Sequence, residues 1–154
     1  MKKRTILLIL ALIMLVSACG GSKKTLDVKA FGQKVHDTID FEVEMTHRDD
    51  DVLNQLYGIE DADIKQRSFY VSTGYTPEEI IVIEATDAEA AARVEAAFRQ
   101  RVEDQREAFT NYIPEQRPKL NDPPIKRNGN YAAMVISGFD EKAASLIDDF
   151  FKGN

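Results

Sequence analysis

Two stretches of this chain, Ile80-Ile-Val-Ile83 and Tyr131-Ala-Ala-Met-Val-Ile136, are apolar at every position. Both are β-prone and bounded by turn chemistry, and neither alternates apolar with polar residues. A strand with one wet face alternates, so these two must lie in a sheet covered on both faces, or must offer one face to a partner. Everything else in the chain has to supply that cover.

The surrounding pattern gives the order of elements. Val28, Phe31, Val35 and Ile39 recur at helical spacing over 27–39, interrupted by Gly32. Phe41, Val43 and Met45 alternate, as in a short strand or an extended link. Asp49–Asp51 precede Val52, Leu53, Leu56 and Tyr57, with Gly58 after them, which fits a short helix over 49–57. Residues 66–73 read as a strand, 74–78 as a turn and 79–85 as a central strand. Thr86 and Glu89 form a capping box, and Val94, Phe98, Val102 and Phe109 line one face of a long helix ending near Tyr112. The proline-rich segment 111–124 cannot be one regular element. Asn128-Gly129-Asn130 joins two further strands as a hairpin. Asp140 then caps a last helix with Ala143, Leu146, Ile147 and Phe150 inward.

The expected fold is therefore α+β. A four-stranded antiparallel sheet in ββα-ββα order carries the long helix and the C-terminal helix on one face, preceded by two N-terminal helices. Val82-Ile-Glu-Ala-Thr-Asp-Ala-Glu-Ala-Ala91 and Val135-Ile-Ser-Gly-Phe-Asp-Glu-Lys-Ala-Ala144 share V-I-x-x-x-D-x-x-A-A, and each marks a strand passing into a helix. The stripe of the two N-terminal helices looks too short to cover the remaining face. That predicts a partly open groove between them and the sheet, rimmed by the 111–124 loop.

Ahead of the domain, Lys2, Lys3 and Arg4 precede the apolar run Ile6–Val16 and the small residues Ser17 and Ala18. Eleven apolar residues fall short of the roughly 20 needed to cross a hydrocarbon core, so the segment reads as a secretory leader. Val16-Ser17-Ala18-Cys19 resembles the lipobox of bacterial lipoproteins, with Val where Leu is commonest. That resemblance implies cleavage before Cys19 and a diacylglyceryl group on its sulfur. Cys19 is the only cysteine, and lipidation accounts for it better than a free thiol in an exported protein. The expected division is a leader at 1–18, lipidated cysteine and flexible tether at 19–25, and a single domain at 26–154. Two acyl chains anchor a protein stably, so the expected location is the outer face of the cytoplasmic membrane.

The leader holds three basic and no acidic residues. The remainder has 17 basic against 26 acidic side chains, a net charge of −9. A chain this acidic lacks the basic footprint that nucleic acid requires.

Catalytic motifs are missing: there is no G-x-S-x-G, P-loop, G-x-G-x-x-G or H-E-x-x-H. His36 sits beside the apolar face of the first helix, in a structural position. His47 with Asp49–Asp51 could form a metal site, but Leu53 and a missing glycine exclude a calcium-loop pattern, and helix capping explains the aspartates. Glu78 and Glu79 could be read as paired acids, yet neighbours in an extended chain point to opposite faces, and a solvated turn is the simpler reading. No catalytic residue, cofactor or metal ligand is assigned. The 111–124 loop is the better functional candidate.

Residues 74–87 (GYTPEEIIVIEATD), 109–116 (FTNYIPEQ) and 129–137 (GNYAAMVIS) together resemble bacterial lipoproteins carrying the domain of unknown function 4358. The resemblance implies an anchored envelope protein of a Gram-positive bacterium and no assigned activity. The expected function is a non-catalytic module that binds an envelope protein, peptide or wall component. The alternative is a small membrane-anchored hydrolase.

Overall fold

The computed structural model describes residues 25–49 and 52–153. Cys19, its leader and most of its tether lie outside them, as do Asp50 and Asp51. In chain order the elements are α1 (Val28–Thr38), β1 (Thr46–His47), α2 (Val52–Tyr57), a 3-10 turn (Asp61–Asp63), β2 (Ile64–Val71), β3 (Glu79–Ala85), α3 (Ala88–Tyr112), a 3-10 segment (Pro114–Leu120), β4 (Ile125–Asn128), β5 (Tyr131–Ile136) and α4 (Asp140–Lys152). No described helix is long and apolar enough to cross a membrane.

The sheet is antiparallel throughout and has five strands, in the order β1-β2-β3-β5-β4. The expected four are thus joined by a fifth. The alternating stretch after α1 stays an extended link until Thr46 and His47, which pair with Val71 and Tyr70 at the edge. Both apolar runs are central neighbours in register, Ile81 opposite Met134 and Ile83 opposite Ala132. Every residue of β3 and β5 is buried.

The helices do not sit as expected. Ile81, Ile83, Ala132, Met134 and Ile136 face a core completed by Leu53 and Tyr57 of α2 and by Val94, Phe98 and Val102 of α3. Ile80, Val82, Ala133 and Val135 face a second core completed by Val28, Phe31 and Val35 of α1 and by Ala143, Ile147 and Phe151 of α4. The long and C-terminal helices therefore lie on opposite faces, and each N-terminal helix joins one of them. Five strands about 4.8 Å apart make a sheet roughly 24 Å wide, and a helix covers about 10 Å of it, so each face needs two helices. A one-sided placement of α3 and α4 would leave the other face to α1 and the single-turn-and-a-half α2. The shared V-I-x-x-x-D-x-x-A-A pattern marks two strand-to-helix passages that leave in opposite directions. Among the described residues no groove rimmed by 111–124 opens between the N-terminal helices and the sheet, because two helices lie on each face.

Local chemistry explains most boundaries. Asp27 caps α1 through its Oδ1, which accepts from the N–H groups of Lys29 and Ala30. Gly32 is needed inside α1 because a Cβ there would come within 2.1 Å of Ser68 Oγ on the sheet. α3 is capped by Asp87, whose Oδ1 accepts from Ala90 N–H at 2.7 Å, and not by Thr86, whose own N–H donates to Asp63. Asp140 is the first residue of α4, and no side chain caps that helix. Gly129 takes φ +56° in the β4–β5 hairpin, as a two-residue turn demands.

The sheet defines two poles. At one, β3 ends and β5 begins, with Glu84 opposite Tyr131; there Leu26 N–H donates to Tyr131 Oη at 3.2 Å. The other holds the 72–78 turn, the C-terminal end of α3, the 3-10 segment and the approach to α4.

Candidate functional site

The most concentrated polar chemistry is at the second pole, and it is built on Glu78 and Glu79. They are consecutive where the chain enters β3 in extended conformation, so they diverge to the two faces of the sheet. That part of the sequence expectation holds. The solvated turn does not, because Glu78 is 1% exposed and Glu79 2%. Two carboxylates this deep require partners, and each has its own set.

Glu79 points to the α2/α3 face. Its carboxylate accepts from Arg101 Nη2 at 2.6 Å, from Gln105 Nε2 at 2.6 Å and from the hydroxyl of Tyr57. The Arg101 guanidinium stands 5.5 Å over the Tyr57 ring, a cation–π arrangement. Phe69 and Phe98 meet that ring edge-on. Burial, and then the charge of Glu79, push the Tyr57 phenol well above its ordinary range, so it stays a neutral donor.

Glu78 points to the other side. It accepts from Lys119 Nζ at 2.9 Å, Thr76 Oγ1 at 3.0 Å and the backbone N–H of Glu42 at 3.1 Å. Lys119 also donates to Glu42 at 2.6 Å, and Gln116 donates to the same carboxylate at 2.9 Å. These bonds with Lys119 and Gln116 lower the pKa of Glu42. One cluster thus ties together the α1–β1 link, the 72–78 turn and the 3-10 segment. Residues 111–124 are therefore an ordered crossover whose Leu120 and Gln116 are buried.

A recess of about 210 Å³ borders the Glu79 cluster, walled by Val71, Thr76, Arg101, Gln105 and Phe109. It is smaller than the roughly 300 Å³ at which ligand pockets begin. A broader concavity of about 1020 Å³ lies at the opposite pole between Leu26, Asp27 and Ile64–Arg67. Among the described residues no cluster of buried ionisable groups faces it.

Both histidines pack on one ring. His36 stacks on Tyr70 at 5.0 Å between centroids, and His47 meets it edge-on at 4.8 Å. His36 Nδ1 lies 3.0 Å from Asp37, and His47 Nδ1 3.5 Å from Asp49. Among the described residues no three His, Cys, Asp or Glu side chains are grouped to hold a metal.

Sequence reasoning missed Tyr57, Arg101, Gln105, Gln116 and Lys119. One signal was available: Gln105 falls on the stripe Val94, Phe98, Val102, Phe109, and a polar side chain within an apolar stripe marks a buried partner. The others come from elements far apart in sequence.

The second pole also carries the only large apolar side chains exposed among the described residues: Tyr75 at 56%, Tyr112 at 72% and Phe139 at 47%. Tyr75 is in the turn before Glu78, Tyr112 ends α3, and Phe139 precedes α4.

The family model for a domain of unknown function (DUF4358) matches residues 37–137. No curated protein and no solved structure matches the chain.

Proposed function

The chain belongs to the family of the domain of unknown function 4358, and from that premise we propose that it is a lipid-anchored envelope protein whose domain is a non-catalytic binding module. The anchor is the diacylglyceryl group on Cys19, the location is the outer face of the cytoplasmic membrane, and the binding surface is the pole carrying Tyr75, Tyr112 and Phe139. One observation carries the binding reading. Exposed aromatics gather at one end of the sheet, while the buried acids beside them are engaged internally. Exposed, rigid aromatic side chains are what interfaces use as anchors. A general acid or base must reach a substrate proton, and Glu78 and Glu79 are both closed off by their own donors.

The anchor is tested by Cys19→Ala. The expected result is loss of metabolic lipid labelling and accumulation of the uncleaved precursor; unchanged labelling refutes it.

A further inference from the structure

The charged groups at the aromatic pole are sorted by sign. Most cations there are already engaged: Arg101 is on Glu79, Lys119 on Glu78 and Glu42, Arg106 on the carbonyls of Leu120 and Asn121, and the exposed Lys142 on the carbonyl of Thr38. The acids turn outward. Asp40, Glu44, Glu115, Asp122 and Glu141 are exposed, against Arg117 and Lys142 as exposed cations. Beside them, Asp140 is held above the ordinary carboxyl range first by burial and then by the charge of Asp122. Three exposed rings thus stand among unneutralised carboxylates. Such a surface attracts cations twice, by Coulomb attraction and by the ring quadrupole, and it repels polyanions such as nucleic acid or phosphate-rich wall polymer.

We infer that this pole docks a basic segment of a partner protein, with lysine or arginine side chains laid over Tyr112 and Phe139 and ringed by the acidic groups. Resting on the anchored reading above, the geometry also gives the direction. Leu26, seven residues after Cys19, is fixed to Tyr131 at the opposite pole. β5 runs from Tyr131 to Ile136 between the two poles, a rise of about 17 Å. The tether therefore enters at the membrane side, and the docking pole looks away from the membrane, toward partners arriving from outside.

The test uses the full chain in detergent micelles and a fluorescein-labelled decapeptide of alternating lysine and alanine, with a glutamate–alanine decapeptide as counterpart. The basic peptide is expected to bind saturably, to weaken with added salt and to lose about tenfold in affinity with the Tyr112→Ala/Phe139→Ala double variant. That variant leaves the net charge untouched, so diffuse attraction to an acidic protein gives equal binding to both and overturns the proposal. Equal binding of the glutamate peptide also overturns it. A β-1,4-linked amino-sugar oligomer that binds where the lysine peptide does not assigns the pole to a wall glycan and overturns it too. Both substituted positions are exposed, and an unchanged melting temperature confirms that the variant is folded. Peptide binding is read without a membrane, so it survives if the Cys19 anchor fails its own test. Direction is read in vesicles with a fluorophore at Tyr112→Cys or Asn130→Cys: quenching by spin-labelled lipid is expected to be several-fold stronger at 130, and equal quenching refutes the outward pole.

Discussion

Glu78 and Glu79 are chemically identical, adjacent in sequence and almost equally buried, yet they sit in two different kinds of surroundings. Glu79 is held by side chains from two helices, Tyr57 of α2 with Arg101 and Gln105 of α3, inside a cage of aromatic rings. Glu78 is held by a lysine, a threonine two residues away and a backbone N–H, and its lysine is shared with the exposed Glu42. The difference follows from the one-residue step in an extended chain, which sends neighbours to opposite faces. It teaches that burial alone does not grade an acid. Glu79 locks helices to the sheet, whereas Glu78 locks loops to one another beside the proposed docking pole.

That contrast breaks first under Arg101→Ala. Removing the guanidinium leaves Glu79 buried with neutral donors only, and loss of one partner of a buried pair costs about 3 to 5 kcal/mol. Urea unfolding is the measurement. Lys119→Ala is expected to cost less, about 1 to 2 kcal/mol, because Glu78 keeps Thr76 and the backbone N–H of Glu42, and because Lys119 divides its charge between Glu78 and the exposed Glu42. If Lys119→Ala proves the more damaging, the ranking of the two sites is reversed. Hydrogen exchange sharpens the distinction, since Lys119→Ala should loosen the 72–78 turn and the 3-10 segment while sparing α3.

Tyr57→Phe is the mildest change, costing about 1 kcal/mol at neutral pH, and its value lies in its pH dependence. In the folded protein the Tyr57 phenol titrates well above its ordinary range, through burial and then Glu79, while in the unfolded chain it titrates near 10. Above that pH the unfolded state binds fewer protons than the folded one, so stability falls as pH rises. The fall should be shallower in Tyr57→Phe. An equal slope in both proteins would show that Tyr57 does not carry the alkaline loss.

Most of the fold was legible because hydrophobic period and turn chemistry act locally. β3, the β4–β5 hairpin and the stripe of α3 follow from the Ile80–Ile83 run, from Asn128-Gly129 and from the spacing of Val94 to Phe109. The assignment of helices to faces was not legible, because it depends on the area to be covered and on which stripes fit together; nothing near Gly138 announces that α4 turns the other way. The edge strand β1 was only half legible, because two residues carry too little pattern to decide between a short strand and an extended link. At the candidate site the divergence of Glu78 from Glu79 could be read, but not their burial. Thr-Pro-Glu-Glu looks like a turn, and the residues that neutralise it arrive from positions 42, 57, 101 and 119.

The two edges of the sheet bear on how the protein behaves when many copies share a surface. An unpaired strand edge is a template for polymerisation, and confinement to a membrane raises the encounter rate of like with like. Here one edge is β1, only two residues long, and the part of β2 that it leaves without a strand partner on that side among the described residues carries Lys65 and Arg67. The other is β4, where Lys126 and Arg127 are tied to Asp148 and Glu95. A short edge and a charged edge both resist strand addition. If the proposed anchor holds, crowded copies should therefore slide past one another as separate bodies in the plane of the bilayer, without zipping into fibres.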